Sequence, residues 1–166
     1  MRWPTLAAGT PPGSGRGSGG PASMPKPVSA SARAKLLRAA RRAAAAAYAP
    51  YSNFPVGAAV LAGSGRIFTG ANVENASFGL CTCAERAAIC AASSAGERRL
   101  AAVAVYTPTR APTLPCGACR QLIHEFGPDA LVLAACSAKT VLETRLPALL
   151  PAAFGPEDLG RPPPAG

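Results

Sequence analysis

Two short cysteine-bearing runs constrain this chain more than anything else in it. They are Cys83-Ala84-Glu85-Arg86 and, further along, Pro115-Cys116-Gly117-Ala118-Cys119-Arg120. Three thiolates, Cys83, Cys116 and Cys119, suffice to hold one Zn²⁺ and leave the fourth tetrahedral position open to water. That open position separates a reactive zinc from a structural one, which closes all four. Either run alone says little, because a lone Cys-x-x-Cys is commonly a redox pair or half of a structural zinc site. Taken together they demand a fold that brings two distant helix starts to one point. At a helix start the partial positive charge and free N–H groups favour thiolate over thiol.

The remaining segments supply such a fold. Ser31–Tyr48 reads as a helix, with Ser31 as its N-cap and Leu36, Leu37, Ala40, Ala44 and Ala47 along one side. Val56–Ala62 and Arg66–Val73 read as strands joined by the hairpin signal Gly63-Ser64-Gly65. Cys83–Ser94 is an Ala-rich helix ended by Gly96, and Ala101–Thr107 a buried strand. The Pro-bearing loop Thr109–Pro115 delivers Cys116 to a helix over Gly117–Phe126, stopped by Gly127-Pro128. Ala130–Ala135 and Thr140–Thr144 are strands, and Leu146–Leu150 is a short helix or turn. The order predicts an α/β sandwich, one mixed sheet covered by helices. Residues 31–160 form this domain. Residues 1–30, rich in Gly, Pro and Ser, are expected to be a disordered basic tail, and 161–166 a disordered end. Met24 offers a second point at which translation could begin, and the acid-free tail is compatible with an organelle transit peptide.

The net charge of +9 invites a nucleic-acid reading, but its distribution opposes one. Residues 1–47 carry eight Lys or Arg and no acid, whereas residues 48–166 carry nine basic and eight acidic side chains. The excess belongs to the tail and first helix, and no basic channel with stacking aromatics surrounds the cysteine runs. No apolar run is long enough to span a membrane. Six cysteines could suggest a disulfide framework, but three serve as thiolates and no secretory signal is visible. A reducing, cytoplasmic compartment fits best.

The chemistry follows from the pattern. Cys-x-Glu followed by Pro-Cys-x-x-Cys is the ligand arrangement of zinc-dependent nucleobase deaminases. Glu85, two residues after Cys83, can approach the zinc water without ligating the metal. It would take a proton from that water, pass it to a ring nitrogen and later protonate the departing ammonia. Three thiolates over-neutralise the ion, so Arg86 is expected to hydrogen-bond the sulfurs and withdraw charge. Arg120 reads either as a second such donor or, the favoured reading, as a surface residue, and His124 reads as a surface or packing residue. A closed four-thiolate site using Cys81 as well is the alternative from another class, and it leaves Glu85 unexplained.

Five blocks then carry a resemblance: Tyr51–Ala58, Gly70–Ala76, Cys83–Arg86, Pro115–Gln121 and Phe154–Leu159. From about Ala32 to Leu159 the chain resembles the small homotetrameric cytidine deaminases. The resemblance implies a five-stranded mixed sheet with flanking helices in a three-layer sandwich, one Zn²⁺ per subunit, and conversion of cytidine and deoxycytidine to uridine and deoxyuridine. It also implies that Asn72 and Glu74 hold the ribose hydroxyls, that Phe54 packs on the pyrimidine, and that backbone groups of Ala84 and Pro115 contact the amine and the zinc water. Sites would be completed by neighbouring subunits through segments near Ala76–Phe78 and Phe154. The chain departs from its relatives at Phe78, where some carry Tyr, and at Cys81, where some carry Gly. It also lacks the Gly-bearing turn expected between the last two strands.

Overall fold

The computed structural model describes residues 27–160; the expected tail, up to residue 26, and the end over 161–166 lie outside the described residues. Five strands make one sheet in the order β2-β1-β3-β4-β5: β1 Gly57–Ala62, β2 Ile67–Ala71, β3 Leu100–Thr107, β4 Leu131–Cys136 and β5 Val141–Arg145. β1 pairs antiparallel with β2 and β3, β3 runs parallel to β4, and β5 returns antiparallel to β4. Helix α1, Ala30–Ala43, covers one face; α2, Ala84–Ser94, and α3, Gly117–Phe126, cover the other, with a short α4 at Leu146–Leu149. This is the expected three-layer sandwich.

The period of two along the strands builds both cores. Ala58 and Val60 of β1 join Val103 and Val105 of β3 beneath Ile89 of α2 and Ile123 of α3. The alternate residues Ala59, Leu61, Ala102 and Ala104 pack under Leu36 and Ala40 of α1. Every residue of β1 is buried, as a central strand covered on both faces requires.

Element limits differ from expectation in two instructive places. Helix α1 starts one residue earlier, because Ser29 rather than Ser31 is the cap: its Oγ accepts the Ala32 N–H at 3.2 Å. It also ends before Tyr48, passing through a single 3₁₀ turn over Ala44–Ala46. Tyr48 cannot continue the helix because its backbone is already paired, donating to Asn72 O at 2.9 Å and accepting from Glu74 N at 2.8 Å. Residues 72–74 are therefore threaded between Tyr48 on one side and Thr82 on the other, where Val73 and Thr82 exchange two hydrogen bonds of 2.9 Å. That cross-link sets the β2 end directly beside Cys83.

Two glycines let the layers close. A Cβ on Gly57 would meet Ala40 O at 2.1 Å, and one on Gly70 would meet Ala88 N at 2.4 Å and Ala84 O at 2.5 Å. The backbone of β2 thus lies against the first turns of α2, the helix that carries Cys83 and Glu85. Gly70→Ala should force these elements apart, lowering stability by about 1–3 kcal/mol. A reduced thermal midpoint together with weakened metal retention would confirm this; an unchanged midpoint would contradict it.

Candidate active site

The two cysteine runs do meet. Cys83 is the N-cap of α2 and Cys116 the N-cap of α3, each in an extended conformation that turns its side chain out of the helix start. Their sulfurs lie 4.0 Å apart, and the Cys83, Cys116 and Cys119 sulfurs all fall within 4.8 Å of one another. A tetrahedron with Zn–S bonds of 2.3 Å has edges of about 3.8 Å, so the donor set fits a zinc ion with little rearrangement. Among the described residues this is the only such cluster of three. Cys81 is not part of it. Its sulfur accepts the Asn75 N–H at 3.4 Å and faces Asn75 O at 3.7 Å, so a closed four-thiolate site is not formed.

The thiols alone resist ionising together. Burial, and then the charges of Glu85 and Cys83, push Cys119 strongly up. Burial likewise raises Cys83. Burial works in the same direction on Cys116, but hydrogen bonds from the Cys119 backbone and from the neighbouring thiols overcome it and hold that thiol low. One thiolate at a helix start is therefore favoured, and the other two await a cation; a bound divalent metal inverts this balance and deprotonates its thiols outright.

Glu85 sits in the first turn of α2 and is only 5 % exposed. Burial pushes its carboxyl up, against the opposing pull of its own backbone N–H and of Cys119. It opens into a cavity of about 390 Å³ that Cys83 and Cys116 also line, with Val56, Val105 and Leu114 as apolar wall and Phe54 at the mouth. Ala84, fully buried, lines the same cavity.

Asn72 and Glu74 line it too, and both already serve the loop that carries Phe54. Asn72 Oδ1 accepts the Val56 N–H at 2.7 Å and its Nδ2 donates to Phe54 O at 3.0 Å. One N–H and one lone pair of that amide stay available. Glu74 accepts from the backbone N–H groups of Tyr51, at 2.8 Å, and Ser52, at 3.2 Å, and from the Ser52 hydroxyl. These bonds, the Ser52 hydroxyl foremost, hold its carboxyl below the ordinary value despite the opposing cost of desolvation.

Arg86 is exposed, and among the described residues it donates to none of the three sulfurs. The side chain leaves α2 about 100° round from the buried Glu85 and reaches solvent instead. Arg120, read from sequence as a surface residue, is instead a brace. Its Nε donates to Pro115 O at 2.7 Å and its Nη1 to Leu149 O at 3.1 Å, fixing the turn that presents Cys116. His124 is half-buried on α3, outside the cavity. Sequence reasoning also missed the hydroxyl cluster of Thr107, Thr109 and Thr113, in which Thr107 Oγ1 lies 2.7 Å from Thr109 Oγ1 and 3.2 Å from Thr113 Oγ1. Its one legible signal was the spacing of threonines after a buried strand.

The model of the cytidine and deoxycytidylate deaminase zinc-binding region matches residues 30–135. The chain belongs to this deaminase family. Cytidine deaminase of Sporosarcina psychrophila is 45 % identical over 126 residues, covering 75 % of this chain and 93 % of the relative. The cytidine deaminase of Mycobacterium tuberculosis is 48 % identical over 122 residues, covering 74 % and 89 %. The crystal structure of cytidine deaminase from Burkholderia pseudomallei superposes with a TM-score of 0.70 at 49 % identity, covering 73 % of this chain and 98 % of that one.

In this deaminase the three-sulfur geometry leads to a direct test. Cys83→Ser, Cys116→Ser and Cys119→Ser should each lose most bound zinc by elemental analysis, whereas Cys81→Ser should keep one ion per chain. Loss of zinc in Cys81→Ser would restore the closed-site alternative.

Proposed function

We propose that the protein catalyses hydrolytic deamination of cytidine and deoxycytidine to uridine and deoxyuridine, releasing ammonia in pyrimidine salvage. One observation carries this: a buried carboxylate and a three-thiol metal cluster open onto the same cavity of about 390 Å³. That volume lies within the range of small-molecule sites, roughly 300–1,000 Å³. A zinc ion held by Cys83, Cys116 and Cys119 would supply water activated at neutral pH.

Everything else is work for side chains. Glu85 accepts a proton from the attacking water. Its buried setting favours the protonated state, so the proton is retained and delivered first to the ring nitrogen and then to the leaving amine. Val105 and Leu114 keep bulk water from competing for that proton. Phe54 packs on the pyrimidine, while the free N–H and lone pair of Asn72 and the remaining carboxylate capacity of Glu74 receive the sugar hydroxyls. The backbone of Ala84 contacts the base at the metal end. Arg86, the cation next to Glu85, offsets the surplus negative charge of three thiolates from a distance.

We further infer a homotetramer with shared sites and a cytoplasmic place of action. Tyr48, Tyr51, Val73, Phe78, Leu80 and Phe154 are exposed, and the Tyr51 and Phe78 rings meet edge to face at 6.1 Å. Large apolar side chains gathered beside a cavity mouth mark an association surface. Six free cysteines suit a reducing compartment.

The principal test follows loss of cytidine absorbance with wild type and Glu85→Gln side by side. The zinc-loaded variant should fall by at least about 10²–10⁴-fold, the usual contribution of a positioned acid–base group. A zinc-loaded wild type that leaves both nucleosides untouched would refute the assignment. Phe78→Asp/Leu80→Asp should shift the sedimenting mass to smaller species and depress turnover together; turnover retained in a monomer would refute shared sites.

A further inference from the structure

A second cleft lies across the sheet from the zinc cluster, between α1 and the turn joining β4 to β5. Its volume is about 190 Å³; the exposed Arg38, Arg41, Lys139 and Thr140 line it together with a larger apolar share that includes Leu37 and Tyr106. Three cations therefore face one small space. Among the described residues, no hydrogen bond or ion pair engages the side chains of Arg38, Arg41 or Lys139. The acid on the adjoining strand, Glu143, is already held by Arg33 at 2.7 Å. Like charges left unpartnered around a concave surface repel one another, and an anion relieves them.

A local feature holds the Arg41 side chain and another the Lys139 backbone. Arg41 is ordered over the Tyr106 ring, its guanidinium carbon 5.6 Å from the centroid. Lys139 has a backbone φ of +62°, in the left-handed region that glycine occupies without strain. This is the turn where a glycine was expected, and Lys139 stands there instead. The conformation closes the β4–β5 turn, in which the Lys139 N–H donates to Cys136 O and the Cys136 N–H to Thr140 O, each at 3.3 Å.

We propose that this cleft binds an oligophosphate group, the phosphate chain of a nucleoside triphosphate or of inorganic polyphosphate. Arginine pairs bidentately with phosphate oxygens and lysine contributes a compact point charge. The hydroxyls of Thr140 and Tyr106 add donors without adding negative charge. The cleft falls below the roughly 300 Å³ floor for drug-sized ligands, so it takes a compact charged group and leaves any base outside. This inference does not depend on the deamination reading.

Isothermal titration calorimetry of the zinc-loaded protein at low ionic strength tests it, with tripolyphosphate, ATP and orthophosphate as separate titrants. One saturable site per chain is expected for tripolyphosphate and ATP, with orthophosphate weaker. Equal affinity for the first two identifies the phosphate chain as sufficient; tighter ATP identifies a nucleotide as the source. Arg38→Ala, Arg41→Ala and Lys139→Gly should each lose about tenfold or more in affinity. Lys139→Gly should also melt higher than wild type, because it removes the charge and relieves the turn at once. Lys35→Ala/Arg42→Ala, which with Arg38 line the neighbouring cleft on α1, should bind as wild type does. Deamination without added phosphate should be unchanged in all four. No saturable heat at millimolar tripolyphosphate, or an equal loss in Lys35→Ala/Arg42→Ala, would overturn the proposal; the latter would reduce the effect to net charge.

Discussion

Three sulfur atoms crowded at two helix starts are the interaction around which the domain is arranged. Left to themselves they oppose full ionisation, since each thiolate raises the cost of the next and Cys119 has no solvent to share its charge. The helix N-termini supply only part of the compensation. A cation supplies the rest, so the fold and the metal are thermodynamically linked. Whatever binds the native arrangement and not the unfolded chain adds to native stability by mass action. The carboxylate of Glu85 belongs to the same account, because its negative charge is one of the terms that discourages the thiols from ionising.

The sheet exists, from the standpoint of the site, to aim those helix starts. β1 and the middle of β3 are sealed on both faces, so their residues there are apolar and leave little freedom for sliding. A one-residue slip would exchange the two cores and expose neither correctly. Gly57 and Gly70 then allow α1 and α2 to approach the sheet more closely than any side chain permits. Arg120 performs the corresponding task for α3, with two carbonyls in place of a missing Cβ.

Much of this was legible beforehand because it is written locally. Strand alternation, the Gly63-Ser64-Gly65 hairpin and the breaks at Gly96 and Gly127 depend on neighbours in sequence, and all five strands and the three long helices emerged where expected. The zinc donors were legible because their chemistry tolerates few other residues. Several of the misplaced features depend on partners far along the chain. Tyr48 leaves the helix because residues 72–74 claim its backbone, and Arg120 is a brace because Leu149 happens to lie within reach. Arg86 was assigned by adjacency to Glu85, yet adjacent residues on a helix point about 100° apart, so one is buried and the other exposed. Lys139 could not be read at all, since sequence alone does not reveal a left-handed backbone at a lysine.

The parallel pairing of β3 with β4 carries a consequence for how the chain between them is held. Parallel neighbours require a long crossover, and here the crossover is the segment that contains Cys116 and Cys119. Cys83 lies before β3 and those two sulfurs after it, so the cluster draws on both sides of the central strand. Such a crossover closes a loop before any contact rewards it. A metal held by all three sulfurs would therefore tie the chain before β3 to the crossover after it, fastening that crossover as a clasp does.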